Sequence, residues 1–212
     1  MAVKEKILVA MPTTGSVDYN TVACLLKLCR YNPNVSIDLC EGSLVYVARN
    51  DFVHKAITEK YTHLLFIDSD MIWNADALLR LLEDDKDIIS GSIFSRKPPY
   101  TPCFYKRLRL GEEREIICEP ETEIRKGVQE VEGVGSAFCL IKVECLKSII
   151  EKTKIYPYVP IIGYGEDLSF CLRARKAGYK IFVDNDVIIG HVGQTVITQE
   201  TYLRGTNHGD NS

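Results

Sequence analysis

"LLFIDSDM", residues 64 to 71, is the stretch that decides how this sequence is interpreted. Its first four residues are apolar, which is typical of a buried strand. They lead directly into two aspartates separated by one serine, and alternation along the chain points Asp68 and Asp70 to the same side. Two close carboxylates repel, and unpaired charge beside a core is costly. The pattern indicates either a polar turn, in which Asp68 caps the next segment, or a site for a cation or a cationic ligand.

The composition is that of a globular protein of one domain or one and a half, since 46% of the 212 residues are apolar and 26% are charged. The net charge of −3 argues against broad nucleic-acid binding. We find neither an apolar run of about 18 residues, as a transmembrane helix needs, nor a signal peptide. The eight cysteines form no Cys-x-x-Cys pair, which favours reduced thiols. We therefore expect a cytoplasmic protein, in the host cytosol if the chain is viral.

Apolar periodicity predicts that strands and helices alternate along the chain. Strands are predicted over residues 6–11, 35–40, 63–67, 87–94 and 134–142, and helices over 17–30, 42–60, 75–83, 143–152 and 165–178. This alternation is typical of a mostly parallel sheet with helices on both faces. Ligands of such sheets bind beyond the carboxyl ends of the strands. The loop "PTTGS" (12–16) and the Asp68–Asp70 turn both follow such ends, so we expect them to share a site.

The pattern changes after residue 95. Residues 95–133 are polar and proline-containing, and we interpret them as a small antiparallel insertion or a flexible flap that carries a basic cluster. The alternative is an ordinary solvated face. We assign residues 1–204 to a single domain and residues 205–212 to a polar tail, with a linker to further domains as the alternative.

Three polar features are candidates for a common site. Asp68 and Asp70 offer the oxygen ligands that Mg²⁺ and Mn²⁺ prefer, and such ions usually keep substrate phosphates in their shell. His191 stands between two glycines after an apolar strand, where it is either structural or a nitrogen ligand. Glu166 and Asp167 open a helix, a position that the helix dipole alone favours. They alternatively place a carboxylate where it accepts a proton from an attacking hydroxyl or holds sugar hydroxyls.

Three blocks taken together resemble a known family: "THLLFIDSDMIWNADALLRLL" (62–82), "VEGVGSAFCLIK" (131–142) and "GYGEDLSFCLRARKAGYKIFVDNDVIIGH" (163–191). In order and spacing they are similar to GT-A glycosyltransferases, and in particular to the glycosyltransferase domains encoded by large chlorella viruses. The resemblance implies a GT-A type, Rossmann-like α/β fold. It also implies transfer of a sugar from a nucleotide sugar, with UDP as the expected nucleotide, to a glycan or another hydroxyl acceptor.

The resemblance also implies roles for individual residues. The metal ion, Mn²⁺ or Mg²⁺, is expected on Asp68, Asp70 and His191. The expected catalytic acids are Asp167 and Glu166. Residues expected to bind the nucleotide and the donor sugar are Thr13, Thr14, Gly15, Arg49, Asp68, Ser69, Lys97, Gly135 and Ser136. For Arg49 the alternative is a charge on a helix surface. Lys97 or its neighbour Arg96 is expected to fold over the phosphates from a mobile loop.

Two other functions compete with this reading. A sugar-nucleotide nucleotidyltransferase shares the layout and the metal, but usually has a basic Gly-rich loop after the first strand, whereas "PTTGSVD" contains no Lys or Arg. A non-catalytic carbohydrate-binding module would be marked by loss of the metal ligands. A dinucleotide-binding enzyme is disfavoured because no Gly-x-Gly-x-x-Gly follows the first strand. The sequence leaves open the donor sugar, the acceptor, the stereochemical course and the oligomeric state.

Overall fold

The computed structural model describes residues 5–42, 44–111, 116–193, 198–200 and 203. The helices whose bounds lie within them are α1 (Tyr19–Tyr31), α2 (Val45–Thr58), α3 (Ala77–Glu83), α4 (Val143–Thr153) and α5 (Glu166–Lys176). The strands in the same residues are β1 (Ile7–Thr13), β2 (Val35–Glu41), β3 (His63–Ile67), β4 (Met71–Ile72), β5 (Ile88–Ser92), β6 (Phe104–Leu110), β7 (Ile116–Pro120), β8 (Val128–Val131), β9 (Gly133–Val134), β10 (Phe138–Lys142), β11 (Ile181–Ile188) and β12 (Gly190–His191).

A seven-stranded sheet forms the centre of the described structure, in the order β2-β1-β3-β10-β5-β11-β8. Strands β2, β1, β3, β5 and β11 run in one direction, and β10 and β8 run against them. The predicted insertion supplies β8 to this sheet and forms a small antiparallel sheet from β7, β6 and β9. The mostly parallel α/β fold with an antiparallel insertion is therefore confirmed.

Helices cover both faces of the central sheet, which explains why β3 is apolar and buried from Leu64 to Ile67. Leu64 and Phe66 belong to a core shared with α2, α4 and α5. Leu65 and Ile67 belong to a second core, shared with α1 and α3. Because neither face of the strand meets water, β3 shows no alternation of polar and apolar residues. The two polar residues that break this pattern, at positions 68 and 70, lie just beyond the strand.

The antiparallel direction of β10 brings a second chain segment to the same edge of the sheet. Phe138, the first residue of β10, pairs with Ile67, the last residue of β3. Residues 135–137, which precede β10, therefore lie beside the end of β3, where Asp68 follows. Segments that are 70 residues apart in sequence thus meet at one edge.

Among the described residues, no helix combines the length and the apolar character needed to cross a membrane. All eight cysteines lie in the described residues, and none of them is in a disulfide. The predicted polar tail, residues 205–212, lies outside the described residues.

Candidate active site

The predicted donor-binding loop and the Asp68–Asp70 turn line one cleft of about 260 Å³ at the carboxyl ends of β1 and β3. The cleft is lined by Pro12, Thr13, Thr14, Cys40, Val45, Ala48, Asp68, Ser69, Asp70 and Arg96. The position agrees with the rule that ligands of open α/β sheets bind outside the carboxyl ends of the strands. It brings together residues from four separate parts of the sequence.

Backbone hydrogen bonds fix the Asp68–Asp70 turn from three sides. The amide of Asp68 donates to the carbonyl of Ala137 at 3.0 Å, and the amide of Asp18 donates to the carbonyl of Ser69 at 2.8 Å. The amide of Val192 donates to the carbonyl of Asp70 at 2.7 Å. The two carboxylates are therefore carried by a backbone that the loop before β10, the start of α1 and the end of β12 hold in place.

A short strand pair brings His191 to Asp70. Strands β4 and β12 pair so that His191 lies opposite Met71. The imidazole Nε2 is 3.2 Å from Oδ2 of Asp70, and Nη1 of Arg96 donates to the same oxygen at 2.8 Å. Partial burial would raise the pKa of Asp70, but the hydrogen bond and charge of His191, together with Arg96, hold it below its ordinary value. Asp70 is thus kept as a carboxylate at the mouth of the cleft.

The predicted metal ligands do not meet as a set of three. In the described residues, no group of three or more His, Cys, Asp or Glu side chains is placed to hold a metal ion. Asp68 instead faces Arg49, whose Nη2 is 2.8 Å from its Oδ1. Asp70 and His191 alone form a pair, and their separation of 3.2 Å matches two adjacent ligands of an octahedral ion, about 3 Å apart for bonds of about 2.1 Å.

The surroundings of His191 suit a metal ligand. Its Nδ1 lies 3.3 Å from the carbonyl oxygen of Phe94. Without an ion, Nε2–H donates to Asp70; a tautomer with its proton on Nδ1, donated to the Phe94 carbonyl, would instead leave the Nε2 lone pair for an ion held beside Asp70, the arrangement that is common for metal-bound histidines. Mg²⁺ is usually held by one or two protein carboxylates, with phosphates and water completing the shell. The Asp70–His191 pair therefore fits a metal that is shared with a diphosphate, and occupancy itself stays a prediction.

Arg49 lies behind the cleft and not on the helix surface, with only 3% of its side chain exposed. Its Nη2 donates to Asp68 at 2.8 Å and its Nε to Glu166 at 3.3 Å. Its guanidinium also lies over the rings of Phe66 and Tyr158, at 5.1 and 5.9 Å from their centroids. Burial would lower the pKa of Arg49, but the nearby acids raise it above its ordinary value. The buried cation therefore connects the end of β3 with the start of α5.

The two predicted catalytic acids have different surroundings in the first turn of α5. Glu166 pairs with Arg49. Asp167 accepts a hydrogen bond from the amide of the following Leu168 at 2.7 Å, and no ion pair to it is found in the described part of the chain. Burial first, and then the charge of Glu166, raise the pKa of Asp167 to about 6. An acid with this pKa exchanges a proton readily near neutral pH, as a general base must.

The remaining predicted residues differ in how close they lie to the cleft. Thr13 donates to the carbonyl of Ser16 at 2.7 Å and shapes the loop, so the exposed Thr14 is the better placed of the two threonines for a ligand. Gly15 has a φ of +108°, which favours glycine. Ser136 is buried, and its carbonyl accepts from Arg49 at 3.5 Å. Of these residues, Thr13 and Thr14 line the cleft, whereas Gly15 and Ser136 are not among its lining residues.

Two further predicted residues can be placed by their neighbours. A Cβ on Gly135 would lie 3.8 Å from Oδ2 of Asp167, so this glycine borders the predicted acid. Lys97 is exposed on the loop after β5, and its side chain makes no hydrogen bond or ion pair within the described ranges. Arg96, which the sequence offered only as an alternative to Lys97, is the cation that contacts Asp70.

A larger cleft, of about 450 Å³, lies between the insertion and the end of α5. It contains none of the predicted site residues. Two of its cations are paired within it, Arg175 with Glu132 at 3.2 Å and Lys180 with Glu130 at 2.8 Å. The acidic and basic side chains of this larger cleft largely neutralise one another. The smaller cleft, where carboxylates converge, is therefore the better candidate for the active site.

Comparisons with known proteins define the fold. No protein-family model and no curated protein matches the chain. It is similar in structure to A197 from STIV, with a TM-score of 0.65 and 20% identity over 92% of this chain and 91% of that one. It is also similar to 4-diphosphocytidyl-2C-methyl-D-erythritol synthase from Anaerococcus prevotii DSM 20548, with a TM-score of 0.52 and 11% identity over 96% and 98%. At these identities the likeness shows the fold alone, and it extends over nearly the whole of each chain.

Removal of the buried guanidinium is expected to destabilise the fold strongly. Arg49→Ala leaves Asp68 and Glu166 without their shared partner; since these two side chains are 34% and 19% exposed, the cost should approach but not exceed that of a fully buried pair, about 3–5 kcal/mol. Arg80→Ala is the matched control, since Arg80 pairs with Asp76 at 2.9 Å on the surface and exposed pairs contribute about 1 kcal/mol or less. Urea denaturation of both variants measures the difference. Equal, small losses would contradict the role given to Arg49.

Asp167→Asn is expected to stabilise the protein at neutral pH. The pKa of Asp167 in the fold, about 6, lies above its ordinary 3.8, so the folded chain holds the proton more tightly than the unfolded chain. Ionisation therefore costs stability as the pH rises from about 4 to about 6, at up to about 1.4 kcal/mol per pKa unit. The neutral amide avoids this cost. Denaturation between pH 4.5 and 8 should show a gain that grows with pH up to about 6 and then levels off, unlike the exposed control Glu151→Gln.

Proposed function

We propose that this chain is a metal-dependent glycosyltransferase that moves a sugar from a nucleoside-diphosphate sugar, with UDP as the nucleotide, to a hydroxyl of a glycan or another acceptor. The observation that supports the proposal most is the contact of 3.2 Å between Asp70 and His191 at the mouth of the cleft. It combines a carboxylate and an imidazole next to a basic loop, where a diphosphate and its cation would lie.

The residues around Asp70 are suited to a diphosphate leaving group. When bound, Mn²⁺ or Mg²⁺ neutralises the negative charge that develops on that group. Asp70 and His191 would hold the ion, while Arg96 offers the planar donor pair that matches phosphate oxygens. Thr14, Ser69 and Val45 line the same cleft and are available to the nucleoside and the sugar. Nothing in this arrangement requires Lys or Arg in the loop after β1.

Asp167 is suited to accept the proton of the attacking hydroxyl. Its pKa of about 6 leaves it mostly ionised near neutral pH and still basic enough to take a proton. The charge of Asp68 contributes to this pKa, so the acid and the metal-side turn belong to one electrostatic site. Glu166 is engaged by Arg49, which makes it the weaker candidate for this role.

A nucleotidyltransferase is the second candidate, because the fold is shared over nearly full length with a synthase whose named product carries a diphosphocytidyl group. Such an enzyme would release pyrophosphate from a nucleoside triphosphate and a phosphorylated substrate. The loop "PTTGSVD" (12–18) offers no cation to a triphosphate, which favours transfer of the sugar instead. Measurement of pyrophosphate and of UDP as products separates the two reactions.

Binding of UDP is expected to depend on metal. Thermal unfolding with UDP, with Mn²⁺ and with both should show clear stabilisation only for the combination, by about 3 kcal/mol at a hundredfold excess over Kd. Asp70→Ala should remove this gain because the ion loses its carboxylate. Stabilisation by UDP that survives in a folded Asp70→Ala variant, or that needs no metal, would refute the metal-dependent site.

Transfer is expected to require Asp167 more than Glu166. With UDP-sugars as donors, Asp167→Asn should slow turnover by about 10²-fold or more, the scale of a lost general base, while UDP still stabilises the variant in Mn²⁺. Glu166→Gln is the matched change at the neighbouring acid and should retain more activity. Near-normal turnover of Asp167→Asn would assign the proton to another group.

A further inference from the structure

Arg96 occupies the oxygen that a metal ion would need. Its Nη1 donates to Oδ2 of Asp70 at 2.8 Å, and Nε2 of His191 lies 3.2 Å from the same oxygen. A divalent ion bound between Asp70 and His191 would take this oxygen into its own shell. A guanidinium and a divalent cation on the same carboxylate repel each other, so binding of the ion would weaken the contact of Arg96 with Asp70.

The loop that carries Arg96 has a fixed base and an exposed tip. Phe94 and Pro102 form a bridge, and the amide of Ser95 donates to the carbonyl of Thr101 at 2.8 Å. Between these contacts the loop is exposed from Arg96 to Pro99. The base keeps Arg96 at the cleft, while its long side chain can exchange partners without any change in the sheet.

The ion pair of Arg96 is accessible to water. The side chain of Arg96 is 54% exposed and that of Asp70 28% exposed. Exposed pairs of this kind contribute little to stability and exchange readily. Arg49, in contrast, is buried against Asp68 and cannot leave without unpaired charge. Of the two arginines at the Asp68–Asp70 turn, only Arg96 is therefore free to move.

We propose that Arg96 is an exchangeable partner of Asp70: it neutralises this carboxylate until a divalent ion binds, and it then moves to the diphosphate of the donor. This inference rests on the proposed function, because it assumes that the Asp70–His191 pair takes a metal ion. The guanidinium matches two phosphate oxygens as well as it matches a carboxylate. Metal binding thus releases Arg96 from Asp70, and the released guanidinium becomes available to the diphosphate leaving group.

The test measures binding of Mn²⁺ alone by calorimetry, without nucleotide or turnover. Arg96→Ala should bind Mn²⁺ about two- to fivefold more tightly than the wild type, the scale of one exposed ion pair. Lys97→Ala is the matched control. It removes one positive charge from the neighbouring position, and within the described ranges the Lys97 side chain makes no hydrogen bond or ion pair that would be lost with it. It should change the affinity for Mn²⁺ much less. Asp70→Asn should remove the binding and shows that the signal comes from this site.

A second titration, with UDP at saturating Mn²⁺, tests the other half of the exchange. Arg96→Ala should weaken UDP by about tenfold, the scale of a lost charge-assisted hydrogen bond. Tighter Mn²⁺ together with weaker UDP supports the exchange, as does Mn²⁺ binding that appears only in Arg96→Ala. Unchanged or weaker Mn²⁺ binding in Arg96→Ala, or an equal gain in Mn²⁺ affinity in Lys97→Ala, overturns it and leaves the metal site intact. Mn²⁺ binding by neither the wild type nor Arg96→Ala overturns the metal-dependent function as well.

Discussion

The buried guanidinium of Arg49 is the interaction on which the arrangement of the site depends. It lies under the cleft against the rings of Phe66 and Tyr158, where water cannot solvate it, so its donors must find acceptors in the protein. Asp68 and Glu166 supply them. One acid follows a central strand and the other opens a helix nearly 100 residues later in the chain. Because an unpaired buried charge costs several kcal/mol, Arg49 fixes the position of the helix relative to the strand end.

The same interaction gives the two members of each of two acid pairs, Asp68 with Asp70 and Glu166 with Asp167, different surroundings. In each pair one member faces Arg49, and the other is left to the cleft or its border. Asp68 is bound to the guanidinium, while Asp70 meets His191 and Arg96. Glu166 is bound likewise, while Asp167 keeps a raised pKa. Adjacent carboxylates with separate surroundings are the usual way in which a protein assigns different tasks to chemically similar groups.

The sequence predicted the layers of the fold because a strand that is buried on both faces is a continuous apolar run and a helix repeats its apolar residues every three to four positions. It also predicted which strand ends carry polar groups, because those groups follow directly where an apolar run stops. That His191 lies near Asp70 was expected only from the family resemblance, since the pair of two-residue strands that joins them has no periodicity to detect. The burial of Arg49 did have a signal: the residue stands three and four positions before Phe52 and Val53, within the stripe of α2 that is buried. A bound metal ion or substrate would leave no such signal, because its binding depends on distances between side chains.

The position of β10 has a consequence for how the chain is made. This strand lies between β3 and β5 and is the element that joins them, since neither strand pairs directly with the other. During synthesis on the ribosome, the nascent chain therefore presents β3 with an unpaired inner edge until residues 138–142 have emerged. Open strand edges of this kind invite pairing with other chains. The mixed direction of the sheet thus brings with it a period of vulnerability, in which a molecular chaperone has an apolar, incompletely paired sheet to protect.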